Sequence, residues 1–309
     1  MTASMTAPIA AVLIAGPTAS GKSALALALA ERFDGVVVNA DATQVYADLR
    51  VLSARPSDAD LARAPHALYG HVDGATPYAV SSWLQDVEGV LGGGRLPIVV
   101  GGTGLYFDAL TRGLSAVPEI APEIRERWRG AGADVDLHAE LATRDPVMAA
   151  RLRPSDPQRL MRALEVIEST GRSLSLWQQE TGAPLLAPET ALRLVLAPDR
   201  SELDRRIARR LEVMLEEGAA EEAERLVSRG LPEGAPVMKA VGVSAFAAWT
   251  RGEIAREEAV ERTRLDTRRY AKRQSTWFRN RMADWRHVAP EGAEAAALDA
   301  LAIRRVEGR

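Results

Sequence analysis

Cysteine is absent from all 309 residues, which excludes disulfides and thiolate metal sites. That absence fits a reducing compartment, so a cytoplasmic location is expected. No stretch approaches the ~20 consecutive apolar residues of a membrane span, and no basic segment precedes the first apolar run, so neither insertion nor secretion is expected. Lysine is scarce: Lys22, Lys239 and Lys272 are three among 39 basic residues, and the other 36 are arginines. Net positive charge is lacking as well. A formal charge of −3 argues against attraction of the whole surface to nucleic acid, so any such contact needs a local basic patch. What remains, 47% apolar and 26% charged, is an ordinary globular composition. The length is enough for about two domains.

What is present starts with Gly16-Pro17-Thr18-Ala19-Ser20-Gly21-Lys22-Ser23, which matches G-x-x-x-x-G-K-[ST]. An apolar run of strand length, Ile9 to Ala15, precedes it, and Ala24 to Ala30 reads as a strong helix opening. The glycines let backbone N–H groups turn around an anion, and the helix N-terminus adds partial positive charge. Lys22 supplies a compact ammonium in a chain that otherwise uses arginine, and the Ser23 hydroxyl suits Mg²⁺.

Further along, Gly35 to Ala40 reads as a second buried strand ending on Asp41, which places that carboxylate at a strand end beside the same crevice. An Asp capping the next turn is the alternative. His66 and His71 lack the other ligands of a metal site. Helical period over Tyr78 to Leu91 is followed by a third strand, Leu96 to Val100, which breaks into Gly101-Gly102-Thr103-Gly104. That strand ends without the acid that holds Mg²⁺ in typical P-loop NTPases. Residues 119–189 read as a helical insertion, and a strand returns over Leu192 to Ala197. On the helix from Ser201 to Glu217, Arg205, Arg206, Arg209 and Arg210 flank an apolar stripe, as a phosphate clamp or as a solvated face. Between Arg262 and Arg286 nine basic residues face two acids, interleaved with Tyr270, Trp277, Phe278 and Trp285. This is the local patch, suited to phosphate contact and base stacking, although buried rings and solvated arginines would give the same pattern.

The expected fold is α/β: a P-loop NTPase-like parallel sheet flanked by helices, with a helical insertion domain. The expected segments are 8–118 for the first part of the core, 119–189 for the insertion, 190–286 for the second part with the basic aromatic helix, and 287–309 for a C-terminal tail.

Together GPTASGKS at 16–23, DATQVY at 41–46, LPIVVGGTGLYF at 96–107, QRLMRALEV at 158–166, the APDR helix with Arg206 and Arg210, and KRQSTWFR at 272–279 resemble the tRNA dimethylallyltransferases. The resemblance spans nearly the whole chain. It implies that Gly16, Thr18, Ala19, Ser20, Gly21, Lys22, Ser23, Arg206 and Arg210 grip the diphosphate of dimethylallyl diphosphate, with Mg²⁺ on Ser23. It makes Asp41 the general base on an adenine N6 amino group and sets Thr103 near it. It also implies tRNA contacts, at the anticodon stem-loop, through Asp41, Ala42, Thr43, Gln44, Thr103, Arg125, Gln158, Arg159, Leu160, Met161, Arg162, Lys239 and Gly242. Lys272, Arg273, Gln274, Ser275, Thr276, Trp277, Phe278 and Arg279 complete that set. A monomer is expected, with no membrane partner.

The chain departs from the family's usual Asp-Ser-Arg-Gln at Asp41-Ala42-Thr43-Gln44, from Gly-Tyr-Lys/Arg at Gly242-Val243-Ser244, and from Gly-Thr-Ala-Lys-Pro at Leu52-Ser53-Ala54-Arg55-Pro56. A P-loop small-molecule kinase and a nucleic-acid-binding NTPase are the rival readings. The first leaves the basic aromatic helix unexplained, and the second leaves Asp41 and the missing acid unexplained.

Overall fold

The computed structural model describes residues 9–132, 135–232 and 234–307, with side chains as far as Ala302. Strands β1 (Ala11–Ala15), β2 (Gly35–Asn39), β3 (His66–Ala67), β4 (Leu96–Gly101), β5 (Ala191–Leu196) and β6 (Arg286–Val288) form one sheet in the order β3-β2-β4-β1-β5-β6. All five pairings are parallel. Successive residues of a strand point to opposite faces, and here both faces are covered, which is why the strands read as unbroken apolar runs. On one face Leu13, Val38, Val99 and Val195 meet Trp83, Phe107, Phe278 and Trp285. On the other, Ile14, Val37, Val100 and Leu194 meet Leu25, Leu29, Ala297 and Leu301.

The first part of the chain supplies α1 (Lys22–Phe33), α2 (Asp58–Arg63), α3 (Val80–Leu91) and α4 (Gly104–Arg112). The chain then enters a separate compact unit, Arg112–Pro184. Its helices are α5 (Pro122–Arg129), α6 (Leu137–Arg144), α7 (Pro146–Arg151), α8 (Pro157–Thr170) and α9 (Leu174–Trp177). Asp145 and Asp156 cap α7 and α8 through backbone N–H groups, each followed by Pro at the first helical position, where its missing donor costs nothing. Trp128, Leu141, Met148, Leu160 and Leu164 form this unit's own core. The ends of the insertion pair with each other: Ser115 bridges Thr181, and Gly182 N–H donates to Leu114 O at 3.0 Å. That pairing draws residues 112–118 into the unit, earlier than the expected start at 119.

From Leu185 onward the chain rejoins the sheet. It adds α10 (Arg200–Glu216), α11 (Ala219–Ser228), α12 (Val243–Thr250), α13 (Arg256–Arg281) and α14 (Pro290–Glu307). The residues expected as a tail are a correction: β6 extends to Val288 and α14 follows, with Ala293, Ala297 and Leu301 buried against the sheet. An alanine-rich segment looked featureless because its small apolar side chains give a weak amphipathic signal. Among the described residues no helix is long and apolar enough to cross a membrane.

Candidate active site

The carboxyl ends of β1, β2 and β4 lie side by side, as the parallel order requires, and each carries one part of the site. After β1 the loop winds through two left-handed positions, Ala19 at φ 61° and Gly21 at φ 90°. At Ala19 this conformation costs on the order of 1–2 kcal/mol. Gly21 offers no side-chain cap to α1, so the helix N-terminus keeps open N–H donors. The Ser20 hydroxyl is buried inside the loop with no hydrogen-bond partner among the described residues. A strained loop, open amides and an orphaned hydroxyl together fit a bound phosphate. Lys22 Nζ donates to Pro17 O at 3.2 Å, and burial pushes its pKa down to about 8 while Asp41 partly opposes the shift. Ser23 adds an exposed hydroxyl in the first turn of α1. Among the described residues no three His, Asp or Glu side chains cluster to hold a metal. Ser23 is the side chain that would hold Mg²⁺, an ion that usually keeps several waters and binds substrate phosphates.

At the end of β2, Asp41 is 9% exposed. Its Oδ1 accepts from the Thr43 N–H at 3.0 Å and the Thr43 hydroxyl at 2.7 Å, leaving Oδ2 without a hydrogen bond among the described residues. Asn39, a polar residue closing an apolar strand, holds the turn: its Oδ1 accepts from Asp41 N at 2.8 Å and its Nδ2 donates to Asp41 O at 3.0 Å. Thr103, at the end of β4, is joined to the same turn, because its N–H donates to Ala40 O at 3.1 Å and its Oγ1 accepts from Ala42 N at 2.9 Å. The hydroxyl proton of Thr103 remains available to an acceptor. Gln44 is turned inward, donating to Ser53 O and Ala54 O at 2.8 and 2.9 Å.

A cavity of about 210 Å³ runs from Thr18 and Arg210 past Asp41 and Tyr270 to Leu211 and Met214. Of the five arginines on α10, two reach the phosphate loop. Arg206 Nη1 donates to Ser20 O at 3.2 Å and Arg210 Nη1 to Thr18 Oγ1 at 2.8 Å. Their spacing of four sets them on one face, while Arg205 and Arg209 stay exposed. Tyr270 is expected from sequence only as one ring of the basic aromatic patch. It lines the cavity, and the negative charge of Asp41, ahead of burial, raises its phenol pKa. The only signal for it was its place one turn before Gln274 on a helix already marked as basic and aromatic.

The basic aromatic segment is narrower than its composition suggested, since α13 ends at Arg281. Arg262, Arg264, Arg268, Arg269 and Arg281 are held in ion pairs with Glu258, Glu261, Asp204, Asp266 and Asp108. Lys272, Arg273 and Arg279 are exposed and make no ion pair among the described residues. Two of the four rings of the segment are unavailable for stacking. Phe278 and Trp285 are 1% and 5% exposed in the core, so the expected RNA contact of the Phe278 side chain is withdrawn. Trp277 packs its indole edge against Gly104, where a Cβ would come within 2.1 Å of it. Gln274, also expected to contact RNA, is 6% exposed and bonded within the site. Lys272, Thr276 and Arg279 instead border a second cavity of about 620 Å³ beside Pro17 and Arg200. Lys239 is exposed, whereas Gly242 is buried.

Arg125 and the 158–162 segment belong to the inserted unit. There Gln158, Arg159 and Arg162 are exposed and Met161 is half-buried. Leu160 is 1% exposed in that unit's core, which removes its side chain from any contact with RNA. Arg162 and Arg129 both pair with Glu165, itself 1% exposed.

A family model described as IPP transferase matches residues 44–281, and one described as isopentenyl transferase matches residues 9–67. The tRNA dimethylallyltransferase of Azorhizobium caulinodans is 56% identical over 298 residues, covering 94% of each chain. That of Rhodopseudomonas palustris is 55% identical over 290 residues, covering 92% of each. Among solved structures, the full-length tRNA isopentenylpyrophosphate transferase of Bacillus halodurans matches with a TM-score of 0.69 at 29% identity, over 96% of this chain and 97% of that one. A eukaryotic dimethylallyltransferase acting on tRNA matches with a TM-score of 0.80 at 27% identity, over 96% of this chain and 78% of that one.

Proposed function

The chain belongs to the IPP transferase family, and on that premise we propose that it transfers a dimethylallyl group from dimethylallyl diphosphate to tRNA. The acceptor is N6 of the adenosine immediately 3′ of the anticodon, position 37, and diphosphate is released. The observation that carries this reading is one cavity bordered at once by the phosphate loop and by Asp41, whose Oδ2 is unbonded. A typical ATP-hydrolysing P-loop site has a carboxylate for Mg²⁺ at such a strand end, where this chain has Gly101 and Gly102.

The exocyclic amine is a weak nucleophile because its lone pair is delocalised into the purine. Asp41 Oδ2 takes its proton as the N–C bond forms, while Thr43 holds Oδ1 and the Thr103 hydroxyl orients the base. Charge developing on the departing oxygens is met by the loop amides, the Ser20 hydroxyl, Lys22, Arg206 and Arg210. Mg²⁺ on Ser23, when bound, would neutralise further phosphate charge. In the core unit Lys272, Arg273, Thr276, Arg279, Lys239 and Ala42 supply RNA contacts, and the inserted unit, taken by itself, offers Arg125, Gln158, Arg159 and Arg162. A loop adenosine leaves its stack more readily than a paired one, which suits a base that must enter a cavity. The enzyme is proposed to act as a monomer on the anticodon stem-loop.

The test incubates the protein with unmodified tRNA, Mg²⁺ and either dimethylallyl diphosphate or ATP, following diphosphate release and the mass of the anticodon-loop adenosine. Prenyl mass is expected with the first and no turnover with the second. In the same assay Asp41→Asn should keep both affinities while its single-turnover rate falls ~10²–10⁴-fold, as for a lost general base. tRNA-stimulated ATP hydrolysis with no prenyl mass would replace the transferase by the NTPase reading.

A further inference from the structure

Gln274 sits on the buried stripe of α13 with Ala271 and Phe278, between outward-facing Arg273 and Thr276. Both ends of its amide are bonded. Oε1 accepts from the Thr18 N–H at 2.9 Å, and Nε2 donates to Gly102 O at 2.9 Å. The first partner belongs to the loop that carries the leaving group. The second immediately precedes Thr103, which is tied to the Asp41 turn by hydrogen bonds of 3.1 and 2.9 Å. One planar amide thus spans the two halves of the site, and Gly102 permits it, since a Cβ there would lie 2.1 Å from Nε2. No other side chain in the described residues hydrogen-bonds to both loops.

One half follows β1 and the other is the joined ends of β2 and β4, and the reaction brings an electrophilic carbon held by the first to a nitrogen activated by Asp41 in the second. A side chain that fixes their separation controls the approach of the reacting atoms, and a misplacement of ~1 Å can cost about 10²-fold in rate. We infer that Gln274 is a positioning residue that sets the distance between the diphosphate loop and the Asp41–Thr103 turn, and that it is not an RNA contact. This rests on the transferase reading above. The chemistry of the spacer is specific: it must accept on one side and donate on the other, at the length of a glutamine. An ionised carboxylate can accept from Thr18 but cannot donate to Gly102, whereas a neutral carboxyl can do both.

The test compares wild type, Gln274→Ala and Gln274→Glu in single-turnover prenyl transfer between pH 5 and 8, with affinities for tRNA and dimethylallyl diphosphate measured separately. Both variants should be slower than wild type by up to about 10²-fold at pH 7.5, with both affinities within about twofold of wild type. The deficit of Gln274→Glu relative to wild type should shrink as pH falls and the new carboxyl protonates, while that of Gln274→Ala stays constant. The near-isosteric change guards against simple unfolding, which a thermal melt of each variant would register. If wild type transfers and the Gln274→Glu deficit is flat with pH, or if the loss appears in tRNA affinity at an unchanged rate, the spacer role falls and the transferase stands. If wild type gains no prenyl mass, both fall together.

Discussion

Two turns of this molecule share one signature, strand then glycines then helix, yet the glycines serve different physical ends. At Gly21, in the loop between β1 and α1, the requirement is conformational: it takes φ 90°, and an added Cβ would meet nothing nearer than the Arg206 guanidinium at 3.3 Å. The space beside it is left for a ligand. In the turn between β4 and α4 the requirement is closeness: a Cβ on Gly102 or Gly104 would lie 2.1 Å from Gln274 or Trp277, because α13 packs directly onto the backbone. The first turn is open and strained, and the second is closed and filled. A glycine motif therefore signals phosphate only when something leaves its amides uncovered.

The largest expected effect separates the two by function. Lys22→Ala should lower prenyl transfer by about 10²–10³-fold, as when one preorganised charge is removed from a leaving group, and should not lower the melting temperature. In the closed turn the balance reverses. Gly104→Ala should destabilise the fold by ~1–3 kcal/mol through overpacking against Trp277, read as a lowered denaturation midpoint before any change in diphosphate affinity. A Gly104→Ala protein of native stability would show that α13 can withdraw from the turn.

The smallest effect sharpens the open turn alone. Lys22 has a folded pKa of about 8 against an ordinary 10.5, so the ligand-free protein binds fewer protons than the unfolded chain between those values. Its contribution to stability accordingly rises with pH across that window, and Lys22→Met should be no less stable than wild type at pH 7. A bound diphosphate favours the ammonium and raises its pKa, so binding takes up a proton. Affinity for dimethylallyl diphosphate should fall as pH rises above about 8, by at most tenfold per pH unit. Lys22→Met should bind weakly with no such slope. A wild-type affinity flat from pH 8 to 10 would mean that the ammonium does not meet the ligand.

The sheet was legible because buried parallel strands leave unbroken apolar runs, and the phosphate loop because its glycines and Lys22 stand at a fixed spacing between strand and helix. Asp41 was legible as a carboxylate at a strand end. The arginines of α10 were not resolved by periodicity: Arg205 and Arg206 are neighbours in sequence, and only the packing of Leu203 and Ile207 against Ala271 decides which of them reaches the loop. Rings and charges on α13 looked like a nucleic-acid surface because composition cannot tell which face of a helix is covered. Phe278 and Trp285 went to the core, and acids as distant in sequence as Asp108 and Asp204 took up arginines. The short edge strands β3 and β6, of two and three residues, carry too few positions for a pattern to show.

The bond between Thr18 and Gln274 joins residues 256 positions apart. On a ribosome adding about 5–20 residues each second, the phosphate loop would wait roughly 13–51 s before the helix that completes it has been made. Once β4 has been made, the nascent chain carries β1 and β4 without a complete α13, and without β6 or α14, until the end of that interval. A chain ending between residues 24 and 273 carries its most recognisable motif and lacks the Gln274 that bonds to it, so possession of the motif and completion of the site are acquired at opposite ends of synthesis.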